Sequence, residues 1–240
     1  MKINVLPVHK SMIKQQQKLN KFPENSGFTI LESLVGMVVA SVLLAAIAPV
    51  LVMSTAIRVQ SRRVEMASQV ARTFIDGVRV GSVTAPAIVS QLSSTNDSPR
   101  NLSTSPDDYL INSTEMPAPA SANDLYCYNQ DGIIDTTDCT NNLFYIQAGR
   151  IVQTTEKNDG YRLAIRVYRA DIDFSKTIQI NTDAASKQTA SPVTSGLGNR
   201  QTPLIEMTTD IANNSTNFYA LCQRLGTPLI TPNATPVTCR

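Results

Sequence analysis

From Ser33 to Ile57 the chain carries no charged side chain, and this run limits the fold more than any other feature. Wound as a helix, Leu34 to Ile57 is about 37 Å long, enough to cross a hydrocarbon core of about 30 Å. Only a helix or a closed barrel satisfies its own backbone groups in lipid, so one apolar run of this length predicts a single transmembrane helix. Lys2, Lys10, Lys14, Lys18 and Lys21 precede it, against one acid, Glu24. Clustered lysines stay cytoplasmic, which puts the leading segment inside and everything after Ile57 outside. A secretory signal peptide also begins with basic residues and an apolar core. Its core is shorter, and no small-x-small cleavage site with a polar mature start follows this one.

The helical pattern outlasts the apolar run. Arg58, Arg62, Glu65, Gln69, Arg72, Asp76 and Arg79 recur at alternating steps of four and three and mark a polar face. Val64, Met66, Ala67, Val70, Ala71, Phe74 and Val78 fill the other. One helix is therefore expected to continue to about Val80, first apolar all round and then amphipathic, as a helix lying on a sheet must be. Between Gly81 and Asp124 the composition turns to Ser, Thr, Asn and Pro. Pro86, Pro99, Pro106, Pro117 and Pro119 leave room for no more than a short helix or strand there.

Beyond that excursion the period changes to two. Leu143 to Thr154, a turn at Lys157-Asn158-Asp159-Gly160, and Tyr161 to Arg169 read as a hairpin with one buried face. In it Leu163, Ile165 and Val167 alternate with Arg162, Ala164, Arg166 and Tyr168. Ile178 to Ile180 and Leu204 to Thr208 are candidate further strands, and Thr182 to Thr202 reads as loop. The expected fold is α+β: a long N-terminal helix whose amphipathic half buries Phe74 and Val78 against a small antiparallel sheet.

Charge and titratable residues narrow the function. Of 21 lysines and arginines and 19 acids, the segment before Phe28 takes five and one, leaving 16 basic and 18 acidic residues beyond it. A slightly acidic exported part is no general partner for nucleic acid. The one histidine, His9, lies in the leading segment, so no imidazole base remains after it. Acid-base triads and most zinc sites need one, and an enzyme is not expected. Cys127, Cys139, Cys222 and Cys239 all follow the apolar run, an even count that suggests two disulfides in an oxidising compartment. Three connectivities are possible, and the sequence-local one, Cys127 with Cys139 and Cys222 with Cys239, is the pairing expected.

Glu32 stands just inside the apolar helix. A lone acid costs on the order of 2.5–3.5 kcal/mol at the centre of a bilayer and less near its surface, so it needs a compensating charge. A cut between Gly27 and Phe28 would create a cationic α-amine one turn from Glu32, and a neighbouring copy would offer the same amine in trans. That pairing would fix the axial stagger of parallel helices, because only one register neutralises both charges. Pro49 removes one backbone donor and loosens the helix.

Gly27-Phe28-Thr29-Ile30-Leu31-Glu32 followed by an unbroken apolar helix resembles the N-terminal segment of type IV pilins and type II secretion pseudopilins. The matching positions are Gly27, Phe28, Thr29, Leu31, Glu32 and Pro49. The leader is longer than is usual in pilins, and the order Ile30-Leu31 is a conservative departure. The resemblance implies that a prepilin peptidase cuts after Gly27 and methylates the amine of Phe28, that Glu32 guides subunit docking, and that Pro49 sits where the helix bends or locally melts in a filament. It implies as partners that peptidase, other pilins or pseudopilins, an inner-membrane assembly platform and membrane lipid. In layout the chain looks most like the secretion pseudopilins, including those that cyanobacteria use to export hormogonium polysaccharide.

A second constellation runs from Cys127 to Cys139. Asn129, Asp131, the carbonyl of Ile133, Asp135 and Asp138 are spaced around Gly132 in a way that resembles the calcium loops of EF-hand and dockerin-type sites. Cys127 holds the first ligand position, where a hard cation would not choose sulfur. The plainer alternative is an Asp-Gly turn in a disulfide-closed loop, with its acids solvated. No cofactor is required; calcium is the one candidate. Some pseudopilins use it to order a loop.

The expected organisation is a cleaved cytoplasmic leader, 1–27, a transmembrane and assembly helix, 28–57, its amphipathic continuation, 58–80, and a periplasmic unit, 81–240. Within that unit 81–124 is irregular, 125–221 carries the sheet and 222–240 is a disulfide loop. The functional expectation is a pseudopilin or minor pilin: a structural subunit built into a filament at the cytoplasmic membrane and used in secretion, with polysaccharide export one possibility. The alternative is a surface-binding module for adhesion, motility or DNA uptake, in which the helix is only an anchor.

Overall fold

The computed structural model describes residues 29–93, 99–100, 111–137, 139–154, 159–180, 199–212, 216–224 and 238–239. Gly27 and Phe28 lie outside the described residues with the rest of the leader, as do Asp138, Lys157, Asn158 and most of the expected loop from Thr182 to Thr202. The chain divides into two compact units, Met1–Pro49 and Val50–Arg240.

The described part of the first unit is helical. Helix α1 spans Ile30–Val80 and so runs on past the division. Thr29 caps it: its hydroxyl accepts from the Glu32 N–H at 3.2 Å, and its carbonyl accepts from the Ser33 N–H at 3.1 Å. These bonds satisfy donors that a helix start otherwise leaves open, and Glu32 in the first turn faces the positive end of the helix dipole. The apolar side chains here are exposed on every side, and α1 contains a span long and apolar enough to cross a membrane. Pro49 lies inside the helix, where it cannot donate to the Ala45 carbonyl.

In the second unit the amphipathic half of α1 ends at Gly81, whose φ of +79° is the left-handed turn that closes a helix. The Gly81 N–H donates to the Val78 carbonyl at 3.3 Å and the Val83 N–H to the Gly77 carbonyl at 3.1 Å. Its buried face is Ala67, Val70, Ala71, Phe74, Ile75 and Val78. Met66, expected on that face, is instead 44% exposed, because its position turns it to the flank of the stripe. Gln60, one turn before Val64, is buried.

The sheet has six strands: β1 (Ile88–Gln91), β2 (Tyr126–Asn129), β3 (Ile134–Asp135), β4 (Asn142–Val152), β5 (Tyr161–Arg169) and β6 (Ile205–Ile211). Their order is β3-β2-β4-β5-β6, all antiparallel. Strand β1 is the exception, pairing in parallel with the end of β4 on the edge whose beginning pairs with β2. A second α-helix, α2, spans Phe218–Arg224. The expected hairpin is β4 and β5, in register from Phe144 opposite Arg169 to Ile151 opposite Arg162. Ile178 and Ile180 form no strand; both are buried beside Tyr168 and Ile172 in irregular chain.

On one face of the sheet Phe144, Ile146, Leu163, Ile165, Val167 and Ile211 pack against α1. The Phe74 and Tyr126 rings meet edge to face at 4.8 Å. The hairpin was expected to have this buried face alone. Both faces of β5 are in fact buried, because the irregular segment around Ile111 and Met116, with Val89 and Leu92, covers Ala164 and Ile151. Chain around Ile172 and Ile178 covers Tyr168. The described chain around Ile111 and Met116 is thus a second layer, and it lies on Arg166.

Candidate functional site

Of the residues expected to govern assembly, Glu32 and Pro49 both lie on α1. Glu32 is exposed and makes no ion pair among the described residues. Sequence reasoning missed the cap that Thr29 provides, although the Thr-x-x-Glu spacing of a capping box was there to be read.

The cysteines pair as expected. Cys127 joins Cys139 and Cys222 joins Cys239, with Cα atoms 5.3 and 5.5 Å apart. The first bridge closes the β2–β3 hairpin, in which Cys127 stands opposite Asp135. Asn129 Oδ1 accepts from the backbone N–H groups of Asp131, at 3.1 Å, and Ile133, at 2.9 Å. The Ile133 carbonyl accepts from the Asn129 N–H at 3.1 Å, and Gly132 takes a φ of +80°. Asp135 Oδ1 accepts from the N–H groups of Thr136 and Thr137 and from the Thr137 hydroxyl. Three oxygens of the calcium-like set, Asn129 Oδ1, the Ile133 carbonyl and Asp135 Oδ1, thus close turns inside the hairpin. Among the described residues no three His, Cys, Asp or Glu side chains come together as a metal group. This is the geometry of a stapled Asx and Asp-Gly turn.

Besides Arg100, four arginines that sequence reasoning left on an exposed face or did not single out are buried. Arg166 is fully buried; its Nε donates to Glu206 Oε2 at 2.7 Å, Nη1 to the Met116 carbonyl and Nη2 to the Asn112 carbonyl at 3.4 Å. It ties β5 to β6 and to the covering segment. Arg162 Nη2 donates to Asp210 Oδ2 at 3.3 Å and to the Arg224 carbonyl at 3.0 Å. Arg224 Nε donates to Asp210 Oδ1 at 3.1 Å and Nη1 to the Asp159 carbonyl. Arg169 grips Asp171 at 2.6 and 2.7 Å. Beside them the Tyr168 hydroxyl donates to Gln147 Oε1 at 3.1 Å. Burial pushes this phenol's pKa far up, against the smaller opposing pull of Arg166. Asp173, at the surface, is held below the usual carboxylate range by the Ser175 hydroxyl and N–H.

Among the described residues of this unit are two concavities. A groove of about 250 Å3 runs beside α1, lined by Arg63, Met66, Leu143, Phe144 and Arg169. A smaller cavity of about 60 Å3 lies beside α2. In the smaller one the Thr154 hydroxyl donates to Asp159 Oδ2.

No family model, curated protein or solved structure matches the chain. The functional reading therefore rests on the residues themselves.

Proposed function

We propose that this chain is a structural subunit, a pseudopilin or minor pilin, of a filament of the type IV pilus or type II secretion kind, held in the cytoplasmic membrane before assembly. The observation that carries the reading is α1. One capped helix begins with an acid in its first turn, exposes apolar side chains all round, and becomes amphipathic where it covers a sheet. A large exposed apolar surface on a folded protein calls for lipid or for other subunits, and a helix that leaves lipid for a bundle of its own kind uses both. In this reading the peptidase cut after Gly27 supplies the amine that Glu32 needs, and Pro49 gives the helix local freedom while it changes surroundings. The filament role calls for no catalysis and no metal, and the exported sheet unit faces the periplasm.

The test is Glu32→Gln, which keeps shape and removes charge. Intact-mass analysis of the membrane form should show a methylated Phe28 terminus in both wild type and variant, while incorporation into sheared filaments falls at least tenfold in the variant alone. Filament incorporation equal to wild type would remove the assembly role from Glu32, and an uncut leader would remove the family reading.

A further inference from the structure

The cavity of about 60 Å3 beside α2 is lined by Gln153, Thr154, Asp159, Tyr219, Gln223 and Arg224. Gln153 and Arg224, both residues of this lining, each keep one buried side-chain atom without a hydrogen-bond partner, Oε1 and Nη2. Buried polar atoms are rarely left so, and two in one cavity call for an occupant that answers both. Neither side chain is free to turn away. Arg224 is 1% exposed and held by Asp210 and by the Asp159 carbonyl, and its helix is tethered through Cys222 to Cys239. Gln153 Nε2 donates to Gln223 Oε1 at 2.6 Å. Gly160, with φ +71°, lets the guanidinium lie where it does: a Cβ there would stand 2.7 Å from Arg224 Nη1 and 3.1 Å from Nη2.

Charge selects the occupant's class. Arg162 and Arg224 share Asp210, and Asp159 brings the fourth charge, so these four groups are neutral together. An anion in the cavity would meet Asp159, and a cation would meet Arg224. A neutral hydroxyl answers both open atoms, accepting from Arg224 Nη2 and donating to Gln153 Oε1; were that amide turned over, a hydroxyl would answer the nitrogen as well. The space admits a few waters or one hydroxylated edge of a ring, not a whole sugar. A ring whose edge entered would rest at the mouth. Tyr219 lines the cavity and is still 41% exposed, and Phe218, next to it on α2, is 70% exposed.

We propose that this cavity binds one neutral pyranose unit of a saccharide, its hydroxyl edge reaching Arg224 and Gln153 and its apolar C–H face lying on Tyr219. The site goes beyond the filament reading and does not depend on it. The test uses the full chain in lipid nanodiscs, free of sugar-headed detergent, titrated with maltose, cellobiose, lactose, chitobiose and a glucuronate disaccharide, and read by saturation-transfer NMR. At least one neutral disaccharide should bind, and Tyr219→Ala and Gln153→Ala should each weaken it about tenfold with unfolding temperatures unchanged, while Lys176→Ala leaves it alone. No binding by any neutral disaccharide, binding by the glucuronate compound only, or affinity that survives either substitution in a folded protein would overturn the proposal and leave the cavity to water.

Discussion

On the face of β5 that meets α1, Leu163, Ile165 and Val167 are buried among side chains as apolar as themselves, whereas on the other face Arg162 and Arg166 are buried two repeats of the pleat apart, either side of Ala164. The first face is stabilised by area removed from water, which is non-directional and tolerant of which apolar neighbour supplies the contact. The second is stabilised only if each guanidinium keeps its named partners, because a charge taken out of water and left unpaired is costly. The difference teaches what each layer needs. A regular helix can cover the apolar face, while the arginine face needs carbonyls at set points, and the irregular chain at Asn112 and Met116 provides them.

The sharpest way to break the contrast is Arg166→Met. Glu206, whose side chain is 4% exposed, would lose this ion pair, and the Met116 and Asn112 carbonyls would lose a donor. Removing one member of a buried pair costs about 3–5 kcal/mol, seen as a lower denaturation midpoint of the full chain. Adding Glu206→Leu should restore most of that loss, since an apolar pair of similar volume replaces a buried ion pair at little cost. A double variant no better than the single one would mean that the carbonyl contacts, rather than the ion pair, hold the second layer.

A smaller effect is expected across the strand. Ile165→Val removes one methylene from the α1 face and should cost about 0.5–1.5 kcal/mol. Combined with Glu206→Leu and Arg166→Met, it should add to within about 0.5 kcal/mol, because its side chain points to the opposite face and shares no partner with them. A larger coupling in a double-mutant cycle would show that the two faces are not independent.

The two faces also differ in how far they can be read from sequence. Steps of three and four found α1 and its end near Val80, and alternation found the hairpin and most of β6, since repeated geometry leaves repeated spacing. The local cysteine pairing followed the same short-range logic. Alternating arginines look solvated by that test, and nothing periodic marks the segment that covers them, so the burial of Arg162 and Arg166 was hidden. Ile178 and Ile180 alternate like a strand yet only plug the second layer. Short pairings such as β1 with β4 and β2 with β3 are too brief to carry a pattern. At the candidate sites, the spacing from Asn129 to Asp135 was legible as an Asp-Gly turn in a disulfide-closed loop. Gln153 and Arg224 meet only through tertiary structure, and no local signal could have joined them.

The mildest probe of the contrast is alkaline pH, which leaves arginines charged and acts on tyrosines. Tyr168 lies with the arginines, and burial raises its pKa far above the ordinary 10.0. Tyr126 and Tyr161 sit by the α1 face, half-buried; burial raises them too, partly offset by the Arg150 guanidinium. A phenol whose folded pKa is raised stays protonated in the native state when the unfolded chain has already lost its proton. Its contribution is therefore fully present below about pH 10 and lost as pH rises through the folded value. Unfolding free energy should thus decline above the ordinary phenol range, and Tyr168→Phe should flatten that decline more than Tyr126→Phe, at the cost of one hydrogen bond to Gln147 at neutral pH. Tyrosinate absorbance followed beside denaturant midpoints would check it. An alkaline slope untouched by Tyr168→Phe would show that the arginine face is not the more titration-sensitive of the two.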